Sequence, residues 1–210
     1  MAFRKQSFAP GEFYHLYNRG TEKRKIFLDR KDYEHFLFLL YIFNTTKNIE
    51  LRNIDKNFDR GKTIVDIGAF CLMPNHFHIL THEKIDNGIS KYMLKVMTSY
   101  SMYFNKKYKR TGKLYEGVFK STHVNNDNYL KYLYSYFHLN PAKLKDKNWR
   151  NKKGQNKKLL QYVFNYPYSS LQEYQNKKFK ILEPSKFPHY FKEPINHKNE
   201  LLEWLNLDNN

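Results

Sequence analysis

Four short segments of the chain carry the dense aliphatic and aromatic pattern of buried or half-buried β-strands. Turn-forming residues such as Asn18-Arg19-Gly20 and Pro74-Asn75 bound them. Three longer segments instead place apolar residues three and four positions apart, which is the spacing of one helical face. The predicted strands are residues 13–17, 63–73, 76–82 and 118–124, and the predicted helices are residues 32–43, 88–108 and 128–139.

The order of these elements is β, α, β, β, α, β, α, with Asn126 or Asp127 as the cap of the last helix. This order predicts an α+β fold, a ferredoxin-like antiparallel sheet with helices on one face. We expect residues 1–141 to form this core and residues 142–210 to form a basic, aromatic C-terminal extension packed on it or linked to it. Residues 143–158 resemble a solvated linker or a DNA-contacting arm, and residues 199–205 a short terminal helix.

Charge indicates the kind of partner. The 210 residues include 37 Lys and Arg against 20 Asp and Glu, a formal net charge of +17, and 18% of them are aromatic. A basic chain with surplus aromatic rings is typical of proteins that bind single-stranded nucleic acid. The alternative is a positively charged surface that serves solubility.

Several protein classes are disfavoured by the sequence. Cys71 is the only cysteine, which excludes an internal disulfide and a cysteine-based zinc site. No apolar run follows the charged N-terminus, and the longest apolar run, residues 36–43, is far short of the roughly 20 residues of a membrane span. We therefore expect a cytoplasmic, nucleoid-associated protein with no membrane partner.

The sharpest motif is a pair of histidines within a predicted strand. His76 and His78 flank Phe77, and alternation along a strand places both imidazoles on one face, about 6.6 Å apart. Two imidazoles at that separation can converge on one metal ion. The alternative is a pair of ordinary half-buried histidines. His82 has the same parity but lies near the strand end, and we expect it to be structural.

A tyrosine-rich helix supplies candidate nucleophiles. A tyrosine that attacks a phosphodiester conserves the bond energy in a phosphotyrosine, so that a strand can be rejoined later. Tyr136 and Asn140 are four residues apart and share a helical face, so both could reach a metal held by the histidines. Spacing alone does not choose between Tyr132 and Tyr136, and these rings could also be core or surface aromatics.

A basic cluster lies between the second helix and the last strand. We expect phosphate contacts from its five side chains, although a solvated turn is the alternative. They are Lys106, Lys107, Lys109, Arg110 and Lys113.

Taken together, the motifs resemble a known family. The segment His76-Phe77-His78 resembles the HUH motif of single-tyrosine transposases, and the surrounding chain is similar to the REP-associated tyrosine transposases. Four segments carry the resemblance and occur in the order found in that family. They are Tyr14-His15-Leu16-Tyr17-Asn18-Arg19-Gly20, Met73-Pro74-Asn75-His76-Phe77-His78, Tyr136-Phe137-His138-Leu139-Asn140-Pro141 and Tyr166-Pro167-Tyr168-Ser169-Ser170.

The resemblance implies a divalent metal, Mg or Mn, held by His76, His78 and Asn140, and it implies that Tyr136 is the nucleophile. It further implies cleavage and rejoining of single-stranded or hairpin DNA through a 5′-phosphotyrosine, by a monomer or a homodimer. Asn18 and Arg19 match a family stretch for which we expect DNA contact. Phe137 and Tyr168 depart from the family pattern, where Ile and Trp are usual.

Three other functions remain open at this point. One is a nuclease of the same histidine-pair class that acts in replication or plasmid mobilisation. Another is a hairpin-DNA-binding module without catalysis, which the intact His76, His78, Tyr136 and Asn140 disfavour. The third is a metal-dependent phosphoesterase that uses water, for which Tyr136 would be dispensable.

Overall fold

The computed structural model describes residues 7–55, 57–149 and 156–188 together with Leu201. The predicted strands and helices are confirmed to within two residues at either end. The strands are β1 (Phe13–Arg19), β2 (Val65–Met73), β3 (His76–Glu83) and β4 (Lys120–Val124). The helices are α1 (Arg30–Ile42), α2 (Gly88–Lys107), α3 (Asp127–Leu139), α4 (Ala142–Lys145), α5 (Asn156–Phe164) and α6 (Leu171–Asn176).

The four strands form one antiparallel sheet in the order β2-β3-β1-β4. Helix α1 connects β1 to β2, and helix α2 connects β3 to β4, so each crossover skips one strand of the sheet. Both helices pack on the same face, where the ring of Phe36 in α1 lies 5.2 Å from Phe77 in β3 and 5.0 Å from Tyr100 in α2. The predicted α+β, ferredoxin-like arrangement is thus confirmed.

Helix α3 lies on the opposite face of the sheet. The ring of Phe137 lies 5.4 Å from His78 and 4.9 Å from His15, and both histidines point away from α1 and α2. The expectation of helices on one face therefore holds for α1 and α2 but is corrected for α3. The physical reason is that α3 follows the completed βαββαβ unit, whose first face is already covered, while its own apolar side still needs burial.

The chain after α5 closes the outer edge of β2. Leu72 donates its backbone N–H to the carbonyl of Tyr168 over 2.9 Å, and Ser170 donates to the carbonyl of Phe70 over 3.0 Å. Tyr166 donates its hydroxyl to the carbonyl of Leu72 over 2.6 Å. An exposed strand edge is a template for unwanted pairing, and this segment satisfies its backbone groups instead.

Ser170 also joins this edge to α3. Its Oγ accepts the backbone N–H of Phe70 over 2.9 Å and lies 2.7 Å from Nε2 of His138. Since His138 lies two residues beyond Tyr136, the bond fixes the rotation of α3 over the sheet. The segment from Tyr166 to Ser170, one of the four that carried the resemblance, thus has a structural role here.

The region after Pro141, where a solvated linker or a DNA-contacting arm was expected, is partly helical. Helix α4 covers its beginning and the first residues of α5 cover its end, while residues 150–155 lie outside the described part. A small apolar cluster, separate from the main core, consists of Leu139, Ala142, Trp149, Leu160, Val163, Leu171 and Leu201. The predicted helix over residues 199–205 lies outside the described residues apart from Leu201, and a domain boundary after Pro141 stays a prediction.

In the portions of the chain that are described, no helix has the length and apolar character of a membrane span.

The link between β2 and α3 gives a stability prediction. Ser170→Ala leaves the buried N–H of Phe70 and the His138 ring without this partner, and we expect a loss of about 1–3 kcal/mol in the free energy of unfolding. Ser169→Ala is the matched control, because the Oγ of Ser169 is buried and has no hydrogen-bond partner among the described residues. Denaturant titration of both variants measures the difference, and equal losses would contradict the role given to Ser170.

Candidate active site

The histidine pair lies on β3, at the centre of the sheet. The rings of His76 and His78 have centroids 5.0 Å apart, and His78 is only 7% exposed. Phe77 and Ile79 point the other way and are fully buried beneath α1 and α2. The register of β1 sets Arg19 opposite His76 and Tyr17 opposite His78, so that β1 contributes one wall of the site.

The proton positions on His76 follow from its neighbour. Nδ1 of His76 lies 2.7 Å from Oδ1 of Asn75, while Nδ2 of Asn75 donates to the carbonyl of Lys23 over 3.3 Å. Because an amide oxygen can only accept, Nδ1 of His76 carries the proton and Nε2 carries the lone pair. A lone pair on Nε2 is what a metal ligand needs.

His78 has a different partner, another histidine. Its Nδ1 lies 2.8 Å from Nε2 of His15 on β1, and both residues are buried at 7% exposure. The other nitrogen of His78, Nε2, is buried and has no hydrogen-bond partner within the described part of the chain. Such an orphaned polar atom calls for a ligand or another explanation.

Burial keeps these imidazoles neutral. It lowers the pKa of His15 to about 3, and with smaller contributions from the charges of Lys143 and Arg19 it lowers the pKa of His76 to about 4. Burial, followed by the repulsion that protonated His15, protonated His76 and Lys143 would exert on a second positive ring, holds the pKa of His78 well below its ordinary value. At neutral pH all three rings are uncharged, which is the form that binds metal ions.

Helix α3 brings Tyr136 to this pair. The ring centroids of Tyr136 and His78 are 5.4 Å apart, and Nζ of Lys143 lies 5.4 Å from the centre of the Tyr136 ring. The ring of Tyr132 stacks on that of Tyr136, with centroids 5.7 Å apart. The geometry thus distinguishes two tyrosines that sequence spacing could not, because the histidine contact belongs to Tyr136.

These groups line a single pocket of about 360 Å³. Besides the two histidines and Tyr136, its wall carries three cationic side chains, Arg19, Lys23 and Lys120. Arg19 is paired with Glu116, which also lines the pocket. The other lining residues are Tyr17, Asn18, Asn75 and Phe77. Positive charge around neutral imidazoles and a phenol suits an anionic phosphodiester.

Asn140 lies at the C-terminal end of α3, one turn after Tyr136. It is 1% exposed, and neither its Oδ1 nor its Nδ2 has a hydrogen-bond partner among the described residues. Its amide is therefore available as a ligand in chemical terms. The described lining of the pocket does not include Asn140, and its part in a metal site stays a prediction.

Within the described residues, no three side chains of the His, Cys, Asp and Glu types are grouped to hold a metal ion. The donor set at the pocket is instead two imidazoles, with the orphaned Nε2 of His78 and the lone pair of His76. The remaining ligands of a bound ion would be oxygens of amide, water or phosphate, which Mg and Mn accept. The residues present therefore fit a divalent metal.

Asn18 and Arg19, predicted to contact DNA, lie at the pocket but already have partners within the protein. Asn18 is 3% exposed, donates its Nδ2 to the carbonyl of Gly117 over 2.9 Å and accepts the N–H of Arg19 over 2.9 Å. It thereby holds the loop before β4 against the end of β1. DNA contact by either residue stays a prediction.

The basic cluster at the end of α2 divides in the structure. Lys107 places Nζ 2.8 Å from Asp29 and 2.7 Å from Asp32, and Arg110 donates to Oδ1 of Asn105 over 3.0 Å. Burial alone would raise the pKa of Asp32, but hydrogen bonds led by that from Lys107 lower it below its ordinary value. Lys106, Lys109 and Lys113 are exposed. None of the five cluster residues belongs to the described pocket lining.

Sequence reasoning missed several residues of the site, which are His15, Lys23, Glu116 and Lys120. The sequence did contain a signal for His15, because alternation along β1 places its side chain on the same face of the sheet as that of Tyr17. Lys120 on β4 pairs with Tyr17 in the sheet, so its side chain lies on that face as well. Lys143 begins the segment that was expected to be a linker or a DNA-contacting arm, but its position over the Tyr136 ring depends on tertiary packing and could not be predicted.

Comparison with known families identifies the class of protein. A model of the family described as "Transposase IS200 like" matches residues 13–140, more than half of the 210 residues. The match spans the sheet, both histidines, Tyr136 and Asn140. The protein belongs to the IS200-like transposase family and is thereby a DNA-cleaving enzyme.

A solved structure has the same fold. It is a REP-associated tyrosine transposase bound to a REP hairpin, with a TM-score of 0.53 and 13% sequence identity. The similarity covers 86% of this chain and 90% of the other. It therefore extends beyond the βαββαβ core into the region after Pro141. No curated protein matches the chain.

The Lys107 geometry gives a prediction that separates stability from DNA binding. Lys107→Met removes the cation from buried Asp32, and we expect a loss of about 2 kcal/mol in the free energy of unfolding. Lys106→Met, at the exposed neighbouring position, is expected to change stability by less than about 0.5 kcal/mol.

Denaturant titration and single-strand binding at fixed salt would be measured on both variants. If Lys107→Met has the wild-type free energy of unfolding but binds DNA more weakly than Lys106→Met, then Lys107 contacts DNA and does not stabilise Asp32.

Proposed function

We propose that the protein cleaves and rejoins single-stranded hairpin DNA through a 5′-phosphotyrosine on Tyr136, with Mg or Mn held at His76 and His78. One observation carries the proposal. A single basic pocket contains two neutral imidazoles and the phenol of Tyr136, whose ring lies 5.4 Å from His78. Membership in a transposase family supports a phosphodiester as the group that enters this pocket.

The metal would be held by Nε2 of His76, Nε2 of His78 and Oδ1 of Asn140. The lone pair on His76 supports the first ligand. Nε2 of His78 and the buried amide of Asn140, which have no hydrogen-bond partner among the described residues, support the other two. When bound, a divalent ion supplies charge neutralisation and a template for the scissile phosphate.

Tyr136 acts as the nucleophile in a transesterification. Its phenolic oxygen forms a bond to phosphorus while the bond from phosphorus to the 3′ oxygen breaks. The phenol loses a proton and the departing strand gains one, which leaves a 5′-phosphotyrosine and a free 3′-hydroxyl. Attack by another 3′-hydroxyl reverses the step and joins a new strand, so neither ATP nor water is consumed.

The charges around Tyr136 position the substrate. Arg19, Lys23 and Lys120 line the pocket, and the ammonium of Lys143 lies over the Tyr136 ring. Contacts of this kind hold phosphates without reading sequence. In this proposal these four cations contact the phosphates next to the cleavage point. The basic cluster at the end of α2 contacts DNA farther away, through Lys106, Lys107, Lys109, Arg110 and Lys113.

A hairpin is the proposed substrate because the solved transposase with the same fold is bound to one. Single-stranded DNA next to the hairpin stem would enter the pocket, where Tyr136 offers a ring on which a base can stack. In this proposal the active protein is a monomer or a homodimer.

A cleavage assay tests the mechanism. Labelled hairpin oligonucleotides from the flanks of the gene, with single-stranded extensions, are incubated with Mn or Mg. Wild-type protein is expected to give a DNA adduct that survives a denaturing gel, while Tyr136→Phe, which lacks the nucleophilic oxygen, and His78→Ala, which lacks a ligand, give none. Tyr132→Phe is the matched control, since it removes the hydroxyl of the stacked neighbour, and it should keep the adduct.

Each contrary result has its own meaning. Cleavage by Tyr136→Phe without an adduct would identify a phosphoesterase that uses water. An adduct that persists in Tyr136→Phe and disappears in Tyr132→Phe would assign the reaction to Tyr132. Tight hairpin binding by the wild type without cleavage would favour a binding module.

The salt dependence of single-strand binding affinity tests whether Lys120 contacts a phosphate. Lys120→Gln should weaken single-strand binding for every sequence and reduce the slope of log affinity against log salt by about 0.7, the value of one lost phosphate contact. Lys91→Gln is the control, because Lys91 is exposed on α2, across the sheet from the pocket. Binding is measured by fluorescence anisotropy at several salt concentrations, and an unchanged slope for Lys120→Gln would remove this residue from the DNA path.

A further inference from the structure

His15 is buried in β1, beside the histidine pair and on the same face of the sheet. Its Nε2 lies 2.8 Å from Nδ1 of His78, which is hydrogen-bonding distance. Two nitrogens at this distance share one proton, and which of the two carries it decides the chemistry of His78.

If His15 donated the proton, the other nitrogen of His78, Nε2, would carry a hydrogen. This atom is buried and has no hydrogen-bond partner among the described residues, so its N–H would be stranded. Buried N–H groups without a partner are rarer than buried acceptors without one. A protonated Nε2 would also have no lone pair for a metal.

We propose that His15 is a positioning residue, whose Nε2 accepts the Nδ1 proton of His78 and thereby leaves the lone pair of His78 on Nε2. The inference rests on the proposed function, which makes His78 a metal ligand. His76 has the corresponding arrangement, with Oδ1 of Asn75 accepting from its Nδ1 at 2.7 Å. Each imidazole of the pair is then held in the same tautomer by its own acceptor.

Packing holds His15 in the orientation that this role requires. Its ring lies 4.8 Å from Tyr17 on β1 and 4.9 Å from Phe137 on α3. Phe137 also stacks on His78 at 5.4 Å with an interplanar angle of 27°. Phe137, the residue after the proposed nucleophile, thus packs against both histidines. This contact positions α3 and the hydrogen-bonded pair relative to each other.

Two nearly isosteric variants separate the hydrogen bond from the packing. His15→Gln keeps an acceptor oxygen for the Nδ1 proton of His78, whereas His15→Leu fills similar space without any acceptor. His123→Leu is the control, because His123 lies on the neighbouring strand and contacts Glu12 instead of the pocket. Thermal unfolding of all three shows which variants are folded well enough to compare.

The first readout needs no metal and no DNA. Long-range ¹H–¹⁵N NMR of the metal-free protein reports which imidazole nitrogen carries the proton, with His78→Gln used to assign the signal. The inference expects a His78 ring protonated on Nδ1 in wild type and His15→Gln, and a changed or mixed tautomer in His15→Leu. Protonation of His78 on Nε2 in the wild type, or the same tautomer in His15→Leu, would overturn it.

The second readout is binding of Mn alone, by calorimetry or electron paramagnetic resonance. Loss of a partner that orients a metal-bound histidine typically weakens metal binding by about 10–100-fold, and we expect this for His15→Leu, with His15→Gln within about 3-fold of wild type. Equal affinity in His15→Leu and wild type would overturn the role of His15. If wild type binds Mn no better than His76→Ala, the proposed metal site fails instead, and the tautomer result still decides the hydrogen bond.

Discussion

The side chains of β3 alternate between two environments, and both the fold and the site depend on this alternation. Phe77 and Ile79 enter the core beneath α1 and α2, while His76 and His78 face α3. A shift of one residue in the register of β3 would bury two imidazoles among aromatic rings and expose the core residues. The hydrophobic burial that stabilises the sheet therefore also fixes where the two imidazoles can point.

Helix α3 completes the site from the other side, and its placement depends on the chain that follows it. His138 bonds to Ser170, which in turn bonds to the edge strand β2. Phe137 packs on His15 and His78, and Tyr136 comes next to the same ring. The nucleophile proposed for this protein is thus held by contacts from four parts of the chain, one of which lies beyond the βαββαβ core.

The excess of basic residues serves more than one purpose. Lys107 neutralises the buried Asp32 at the start of α1, a structural task, whereas Lys23 and Lys120 line the pocket. Net charge and clustering along the sequence do not distinguish these uses, because a cation can be neutralised by a carboxylate far away in the sequence. The local density of lysines therefore predicted phosphate contacts at the turn after α2. The tertiary structure instead places other cations around Tyr136.

The sequence by itself determined the seven elements of the core and their order, because periodicity and alternation are local properties of the chain. It determined that His76 and His78 share a face, and through its resemblance to a family it indicated Tyr136. Only the tertiary structure decided that α3 lies on the face opposite α1 and α2, that Tyr136 and not Tyr132 contacts His78, and that His15 bonds to His78. These are contacts between strands and helices far apart in sequence, set by which surfaces remain to be covered once the sheet has formed.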